Sequence, residues 1–208
     1  LSEQKRIAAV LTEQMAAVDR ARAAALARLE AVKALPAAFL RQVFPQPGQD
    51  LPPGWRWVRL GEVCEIEMGQ SPDGSSYNRD GHGVPLLNGP SEFGANHPQA
   101  VQWTTEPKRY AQEGDILFCV RGATTGRKNS SDRAYCIGRG LAAIRGRIGL
   151  TCTDFVWHVL DVVNEGMLAR AAGSTFVNLP GNEIEAFPIP LPPLSEQKRI
   201  AAMLTERM

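Results

Sequence analysis

The chain has 208 residues, is 44% hydrophobic and carries a formal net charge of +1. This length suffices for one sizeable core plus an extended element. No apolar run approaches the roughly 18 residues of a membrane-spanning helix, and the charged N-terminal segment does not resemble a secretory signal peptide. We therefore expect a cytoplasmic protein without a membrane partner.

Residues 2–35 predict one long helix, because alanine is frequent and neither glycine nor proline occurs before Pro36. Alternating steps of three and four give a heptad seam in which only Arg22 is polar. The seam positions expected to pack against a partner helix are Leu11, Met15, Val18, Ala25, Leu29 and Val32. A helix roughly 50 Å long with so narrow an apolar stripe needs another helix beside it.

The first 15 residues, LSEQKRIAAVLTEQM, return at 194–208 as LSEQKRIAAMLTERM, with 13 of 15 positions identical. We expect this second copy to begin another helix, in which Ile200 and Leu204 pack on the first helix. The first helix leads into the intervening segment and the second leads out of it, so the two can pack antiparallel. An isolated helix of about 15 residues is marginal in water, which makes such packing necessary.

Two proline-rich stretches divide the chain. PQPGQDLPPG at 45–54 predicts a stiff linker, and FPIPLPPL at 187–194 predicts a second extended segment. The predicted organisation is a long helix at 1–40, a linker at 41–54, a globular domain at 55–187, and a proline-rich linker with the start of the second helix at 188–208.

The globular segment predicts short strands separated by clusters of glycine, asparagine, aspartate and proline. The strand candidates are WRWVRLGEVCEIEMG, VPLLN, DILFCVR and LAAIRGRI. Apolar residues at helical spacing predict a helix over 154–172 with Thr153 as its cap, and a short turn or helix follows near 182–186. The predicted fold class is α+β: an α/β domain, a long coiled-coil-forming helix and a short antiparallel C-terminal helix.

Enzyme motifs are absent from the sequence. There is no G-x-G-x-x-G, Walker A loop, G-x-S-x-G or H-E-x-x-H. The four cysteines and three histidines are scattered, which favours reduced structural thiols over a metal site. Glu196 and Lys198 have the E-x-K spacing of some nuclease sites, but they lie in the repeated helix. We expect no catalytic residue, cofactor or metal.

Basic charge is concentrated in one segment. Residues 108–147 carry 9 basic and 3 acidic side chains, whereas 51–107 and 148–193 each have a net charge of −4. Such a cluster is typical of phosphate-backbone binding, and its loop RGATTGRKNSSDR offers glycines and polar groups as well. An ordinary solvated surface is the alternative. The candidate DNA-binding residues are Tyr77, Asn78, Arg79, Lys108, Arg109, Arg121, Thr124, Thr125, Arg127, Lys128 and Arg133.

The stretch FPIPLPPLSEQKRIAAML at 187–204 strongly resembles the region that follows a target-recognition domain in the specificity subunit of type I restriction–modification enzymes. STFVNLPGNEIEA, LGEVCEIEMGQSP and GDILFCVRGATTGRKN resemble further blocks of that family, so the resemblance covers essentially the whole chain. It implies two target-recognition domains per subunit, each reading half of a bipartite double-stranded DNA site through the major groove. It also implies an antiparallel helical coiled coil that docks methyltransferase subunits, restriction subunits that join through them, and no chemistry by the specificity subunit itself.

This sequence departs from the family pattern because it has one recognition domain, one nearly complete helix and one shortened copy. It looks like half a subunit, which could form a homodimer with two-fold symmetry. The DNA site would then be an inverted repeat, with half-sites separated by roughly 15 base pairs for a helix of roughly 50 Å. Two alternatives remain: a recognition fragment of a single-chain restriction–methyltransferase enzyme, and a coiled-coil assembly module without DNA contact.

Overall fold

The computed structural model describes residues 1–46, 48–171 and 178–207. The chain divides into two units, Leu1–Val43 and Phe44–Met208. The first unit is a single helix, α1 (Ser2–Val43), of 42 residues, which is about 63 Å long at 1.5 Å per residue. All six predicted seam side chains of α1 are exposed in the single chain.

Helix α1 does not end before Pro36, so the sequence prediction of its end is wrong. The helix runs through the proline to Val43. A proline inside a helix removes one hydrogen bond and costs about 3 kcal/mol.

The globular unit contains eleven short strands within its described residues. They are β1 (Arg56–Arg59), β2 (Cys64–Met68), β3 (Tyr77–Asn78), β4 (Val84–Leu87), β5 (Trp103–Thr104), β6 (Tyr110–Ala111), β7 (Ile116–Cys119), β8 (Lys128–Ser130), β9 (Tyr135–Ile137), β10 (Leu141–Gly146) and β11 (Pro188–Leu191). The helices of this unit are α2 (Leu60–Val63), α3 (Thr153–Ala171), α4 (Gly181–Glu185) and α5 (Leu194–Arg207).

The strands form three sheets. A four-stranded antiparallel sheet has the order β2-β10-β7-β8, and a five-stranded sheet has the order β3-β5-β4-β9-β6. Strands β4 and β9 are parallel, while the other pairs of the five-stranded sheet are antiparallel. Strands β1 and β11 form a separate antiparallel pair. Helices packed with these mainly antiparallel sheets confirm the predicted α+β class.

The core lies on both faces of the four-stranded sheet. Leu117 and Leu141 belong to one buried cluster with Leu87 and Ile137 of the five-stranded sheet. The alternate residues of β7 and β10 point to the opposite face, since side chains alternate along a strand. That face is also buried, and α3 contacts β10. Burial on both faces explains why DILFCVR reads as a continuous apolar run.

Three local predictions differ from the structure. WRWVRLGEVCEIEMG is two strands separated by the helical turn α2. The proline run at 188–191 is strand β11, in which proline is tolerated because a two-stranded pair leaves one edge of each strand without ladder hydrogen bonds. The polar loop after Arg121 contains β8, paired with β7. The part of STFVN that precedes Asn178 lies outside the described residues.

Helix α5 packs on α3 of its own unit. Gln197, Ile200, Ala201 and Leu204 form its buried face, with Gln197 and Leu204 fully buried. Ile200 and Leu204 therefore help to hold α5 in the core of the globular unit, whereas the sequence predicted that they pack on the first helix. The apolar spacing was correct, but spacing does not identify which surface covers it.

Candidate nucleic-acid interface

Several loops meet at one end of the four-stranded sheet, where β2 and β7 end and β10 begins. We call this surface the loop end. Backbone hydrogen bonds join the loops: Gly69 N–H donates to Leu141 O at 2.9 Å, and Val120 N–H donates to Gly140 O at 2.9 Å. Gly138 N–H likewise donates to Leu87 O at 2.8 Å. The loop end therefore has a fixed backbone rather than independent flexible loops.

The basic loop, residues 121–127, is shaped by two glycines in the left-handed region. Gly122 has φ +84° and Gly126 has φ +91°, which other residues rarely adopt. A Cβ on Gly126 would also lie 2.2 Å from the Asn164 side-chain oxygen of α3. The buried Thr125 hydroxyl donates to Gly122 O at 2.7 Å. These contacts seat the loop against α3 and give Thr125 a structural role.

Arginines dominate the exposed surface of the loop end. Arg121 and Arg127 are exposed, and Arg121 Nε donates to Asn178 Oδ1 at 3.2 Å. Arg139 is also exposed, and its backbone N–H donates to Ser71 Oγ at 3.2 Å. In the described part of the chain, none of these three arginines has a carboxylate within 4.0 Å. Their charge is therefore available to an anion.

Sequence reasoning missed Arg139 and two exposed amides of the same surface. Gln70 follows β2, and Asn88 follows β4, where its Nδ2 donates to Gln102 Oε1 at 3.3 Å. One signal was present: Arg139 stands between Gly138 and Gly140, directly before a buried strand. Glycine-flanked polar residues at strand ends commonly form turns, but nothing local indicated that these turns meet the basic loop.

A second group of predicted residues borders the loop end through the Ser71–Asp73 segment. Tyr77 Oη donates to Pro72 O at 3.3 Å. Arg109 forms an ion pair with Glu67 at 2.8 Å, and Lys108 is exposed. Hydrogen bonds from Ser75, with a smaller contribution from the Lys108 charge, lower the pKa of Asp73. Carboxylates thus neutralise part of this group.

Asn78 and Arg79 of the second group differ in whether their side chains are free to contact a ligand. The Asn78 side chain bonds its own loop, since Nδ2 donates to His82 O and Oδ1 accepts from the backbone of Asp80 and His82. Arg79 is exposed.

Lys128 is not available to phosphate, which corrects the sequence prediction. Its side chain is only 10% exposed, and Nζ lies 2.5 Å from an Asp161 carboxylate oxygen. Nζ also donates to Trp157 O and lies 4.3 Å from the centroid of the Trp157 ring. Burial lowers the pKa of Lys128 to about 8, against the opposing charge of Asp161. Lys128 therefore fastens β8 to α3.

Neither Thr124 nor Arg133, two further predicted residues, is both exposed and unpaired at the loop end. The Thr124 hydroxyl points back to β7, where it lies 3.5 Å from Cys119 Sγ. Arg133 is exposed but pairs with Asp132. It also lies towards the opposite end of β7, where Ser131 N–H donates to Asp115 O. Arg133 is therefore separated from the loop end.

The lysine contact predicts a specific pH dependence of stability. Because the pKa of Lys128 is about 8 in the folded state and about 10.4 in an unfolded chain, the unfolded state binds more protons between these values. Its contribution to the free energy of unfolding should rise with pH across that window, by at most about 3 kcal/mol. Urea unfolding at pH 7, 8.5 and 10 should show the difference between wild type and Lys128→Met increasing with pH. A pH-independent difference would contradict the assignment.

Other kinds of site find no support among the described residues. No group of three or more histidine, cysteine, aspartate or glutamate side chains is placed to hold a metal ion in residues 1–46, 48–171 and 178–207. Burial raises the pKa of the Cys64 thiol to about 12, so this thiol is not a ready nucleophile. Within the same ranges, no helix has the length and apolar character needed to cross a bilayer.

An α+β unit that presents unpaired arginines and amides on a fixed loop surface defines a binding domain for an anionic, hydrogen-bonding partner. A protein-family model, the type I restriction modification DNA specificity domain, matches residues 52–206. The chain belongs to this family.

Relatives agree with that assignment. The chain is 34% identical to a type I restriction enzyme specificity subunit of Methanocaldococcus jannaschii (MjaX), covering 98% of this chain and 50% of that protein. A chain solved in a study of type I R-M complex assembly and conformational transition is 42% identical with a TM-score of 0.86, covering 98% and 51%. The HsdS subunit of Thermoanaerobacter tengcongensis is 41% identical with a TM-score of 0.74, covering 99% and 50%. The chain thus spans about half the length of these three proteins.

Proposed function

We propose that the chain is a sequence-specific DNA-recognition module of a type I restriction–modification system that reads one half of a bipartite site. The observation that carries the proposal is the loop end, where Arg121, Arg127 and Arg139 are exposed and, among the described residues, have no carboxylate partner. Membership of the specificity-domain family supports the same conclusion. A module of this kind would act in the cytoplasm.

The loop end offers two kinds of contact to double-stranded DNA. Arginines bind phosphates and also guanine edges, while asparagine and glutamine suit adenine edges in the major groove. We assign Arg121 and Arg127 of the basic loop to the phosphate backbone. Gln70, Asn88 and Arg139 are assigned to base edges, because they project from neighbouring turns of a hydrogen-bonded backbone.

Helix α1 is the proposed assembly element. Its seam residues Met15, Val18 and Val32 are 68%, 65% and 60% exposed, which is unusual for large apolar side chains spaced along one helix. We propose that the seam pairs two copies in an antiparallel coiled coil and docks methyltransferase subunits, with restriction subunits joining through them. The chain itself would carry no catalytic residue.

Selection from random double-stranded DNA tests the recognition proposal directly. The full chain, alone and with its methyltransferase subunit, is incubated with a random library, and bound DNA is sequenced. A defined half-site, repeated as an inverted pair when the chain dimerises, is the expected result. Binding without any sequence preference would refute specific recognition, and the absence of DNA binding would favour a pure assembly module.

The coiled-coil proposal predicts a weaker dimer when a charge enters the seam. Val18→Asp should raise the dimer dissociation constant roughly 30-fold, since burying an unpaired carboxylate in a helix interface costs about 2 kcal/mol. Ala17→Asp adds the same charge outside the seam and should change dimerisation little. Analytical ultracentrifugation of the three chains measures both effects, and equal dissociation constants would contradict this seam.

A further inference from the structure

Helices α1 and α5 begin with nearly the same sequence but occupy different surroundings. In α5, the face made by Gln197, Ile200, Ala201 and Leu204 is buried. All four residues of the corresponding face of α1 are exposed, and they are Gln4, Ile7, Ala8 and Leu11. The same four residue types are thus buried in α5 and exposed in α1.

The seat of α5, which we call the α5 groove, lies between α3 and the Leu150–Cys152 segment. Gln197 Oε1 accepts a hydrogen bond from Cys152 N–H at 2.9 Å. Its Nε2 donates to Leu150 O at 3.1 Å and to Pro192 O at 3.0 Å. One turn beyond Ala201, the Thr205 hydroxyl lies 3.5 Å from His158 Nε2. The groove therefore recognises a glutamine followed by apolar residues three and seven positions later.

Nothing in the first copy conflicts with this groove. Both copies form the same local ion pair, Arg6 with Glu3 at 3.0 Å and Arg199 with Glu196 at 3.6 Å. Val10 replaces the half-buried Met203, which lies outside the four-residue buried face of α5. The N-terminal copy thus carries all four side chains of that buried face.

We propose that the first 12 residues of α1 bind the α5 groove of a second copy of this chain, in place of that copy's own α5. This inference rests on the proposed pairing of α1 helices, because pairing keeps the competing helix at a high effective concentration. Without pairing of the α1 helices, the covalent Pro192–Pro193 link keeps α5 close to the groove, and α5 occupies it in preference to α1. Within a dimer the two competing faces are identical, so the exchange is close to balanced. Its effect is to fasten the recognition domain of one copy to the long helix of the other.

Photocrosslinking of the intact chain tests the exchange. A photoreactive benzoylphenylalanine replaces Ala9, whose counterpart Ala202 is exposed beside the buried face of α5. The labelled chain is mixed with an isotopically heavy wild-type chain, so that peptides joined between copies are recognised by mass. We expect products that join position 9 to residues 148–161 of the heavy chain. The same photoreactive residue at Ala17 is the matched control and should not reach that segment.

Two substitutions sharpen the test. Ile7→Asp, at a position outside the seam residues, should reduce the inter-copy product at least tenfold, because its carboxylate would be buried in the groove where α5 buries Ile200. Leu204→Asp weakens the competing α5 and should increase the product several-fold; if that variant does not fold, the wild-type and Ile7→Asp results still decide. Products that join α1 only to α1 would overturn the exchange while leaving the dimer intact. A chain that stays monomeric would overturn both the exchange and the coiled-coil dimer. Neither of these two results would affect the proposal of DNA recognition.

Discussion

Replacing Arg121, Arg127 and Arg139 together by alanine should weaken DNA binding by roughly 10²–10³-fold. Each of these guanidinium groups is exposed, and in the described part of the chain none is neutralised by a carboxylate. Each phosphate contact contributes about 0.9 to the slope of log affinity against log salt concentration. The slope should therefore fall by about two, since Arg121 and Arg127 are the two assigned to phosphates and Arg139 is assigned to a base edge. Fluorescence anisotropy with a duplex obtained by selection, at several salt concentrations, measures both quantities.

Arg133→Ala is the control for this triple substitution. Arg133 is also an exposed arginine of the basic segment, but it pairs with Asp132 and lies towards the other end of β7. Its removal should leave affinity and salt slope almost unchanged. If Arg133→Ala weakens binding as much as any single loop-end substitution, the binding surface is not the loop end. Unchanged affinity and salt slope in the triple variant would mean that these three arginines do not contact DNA.

The helices and the central strands were predictable because their signals are local. The 3.6-residue period of Phe155, Val159 and Leu160 sufficed to predict α3, and the apolar run of DILFCVR sufficed for β7. Strands β3, β5 and β6 have two residues each, which is too short for any period to register. They exist because neighbouring strands supply their hydrogen bonds, and that information is not contained in the short segments themselves.

The sequence predicted that the candidate site would be basic, but it did not predict which residues lie on that surface. The concentration of basic residues in 108–147 drew attention to Arg121 and Arg127, which are exposed in the structure. Lys128 looked equivalent in sequence, yet its partner Asp161 is 33 positions away and buries its charge. Arg139 and Asn88 were missed for the converse reason, since their proximity to the basic loop depends on sheet order. Charge composition predicts a basic face, whereas topology decides which residues share it.

The repeated segment marks the limit of local prediction most clearly. Residues 3–11 and 196–204 differ at one position and are helical in both places. The sequence therefore predicts the helix and its apolar stripe correctly in both copies. In α5, strand β11 directly precedes the helix and delivers it to α3. The same amino acids are core in one place and surface in the other.

Removing the buried carboxylate of Asp115 should produce a large loss of stability. Asp115 Oδ2 accepts from Arg145 at 2.9 Å and from Gln112 N–H at 2.7 Å, and its side chain is 2% exposed. Asp115→Ala would leave the Arg145 charge, at 23% exposure, without its closest partner. Breaking a buried pair in this way costs about 3 kcal/mol. Urea unfolding at pH 7, followed by circular dichroism, measures the loss.

Asp115→Asn separates the hydrogen bonds from the charge. The amide oxygen can still accept from Gln112 and Arg145, so this variant should lose only about 1 kcal/mol. Burial raises the pKa of Asp115, which means that the folded state binds a proton more readily than the unfolded chain. The contribution of this carboxyl to the free energy of unfolding therefore falls as pH rises from its ordinary pKa through the raised folded value. The stability of wild type relative to Asp115→Asn should decline across that window. A difference that instead grows with pH would mean that Arg145 more than offsets the desolvation of Asp115.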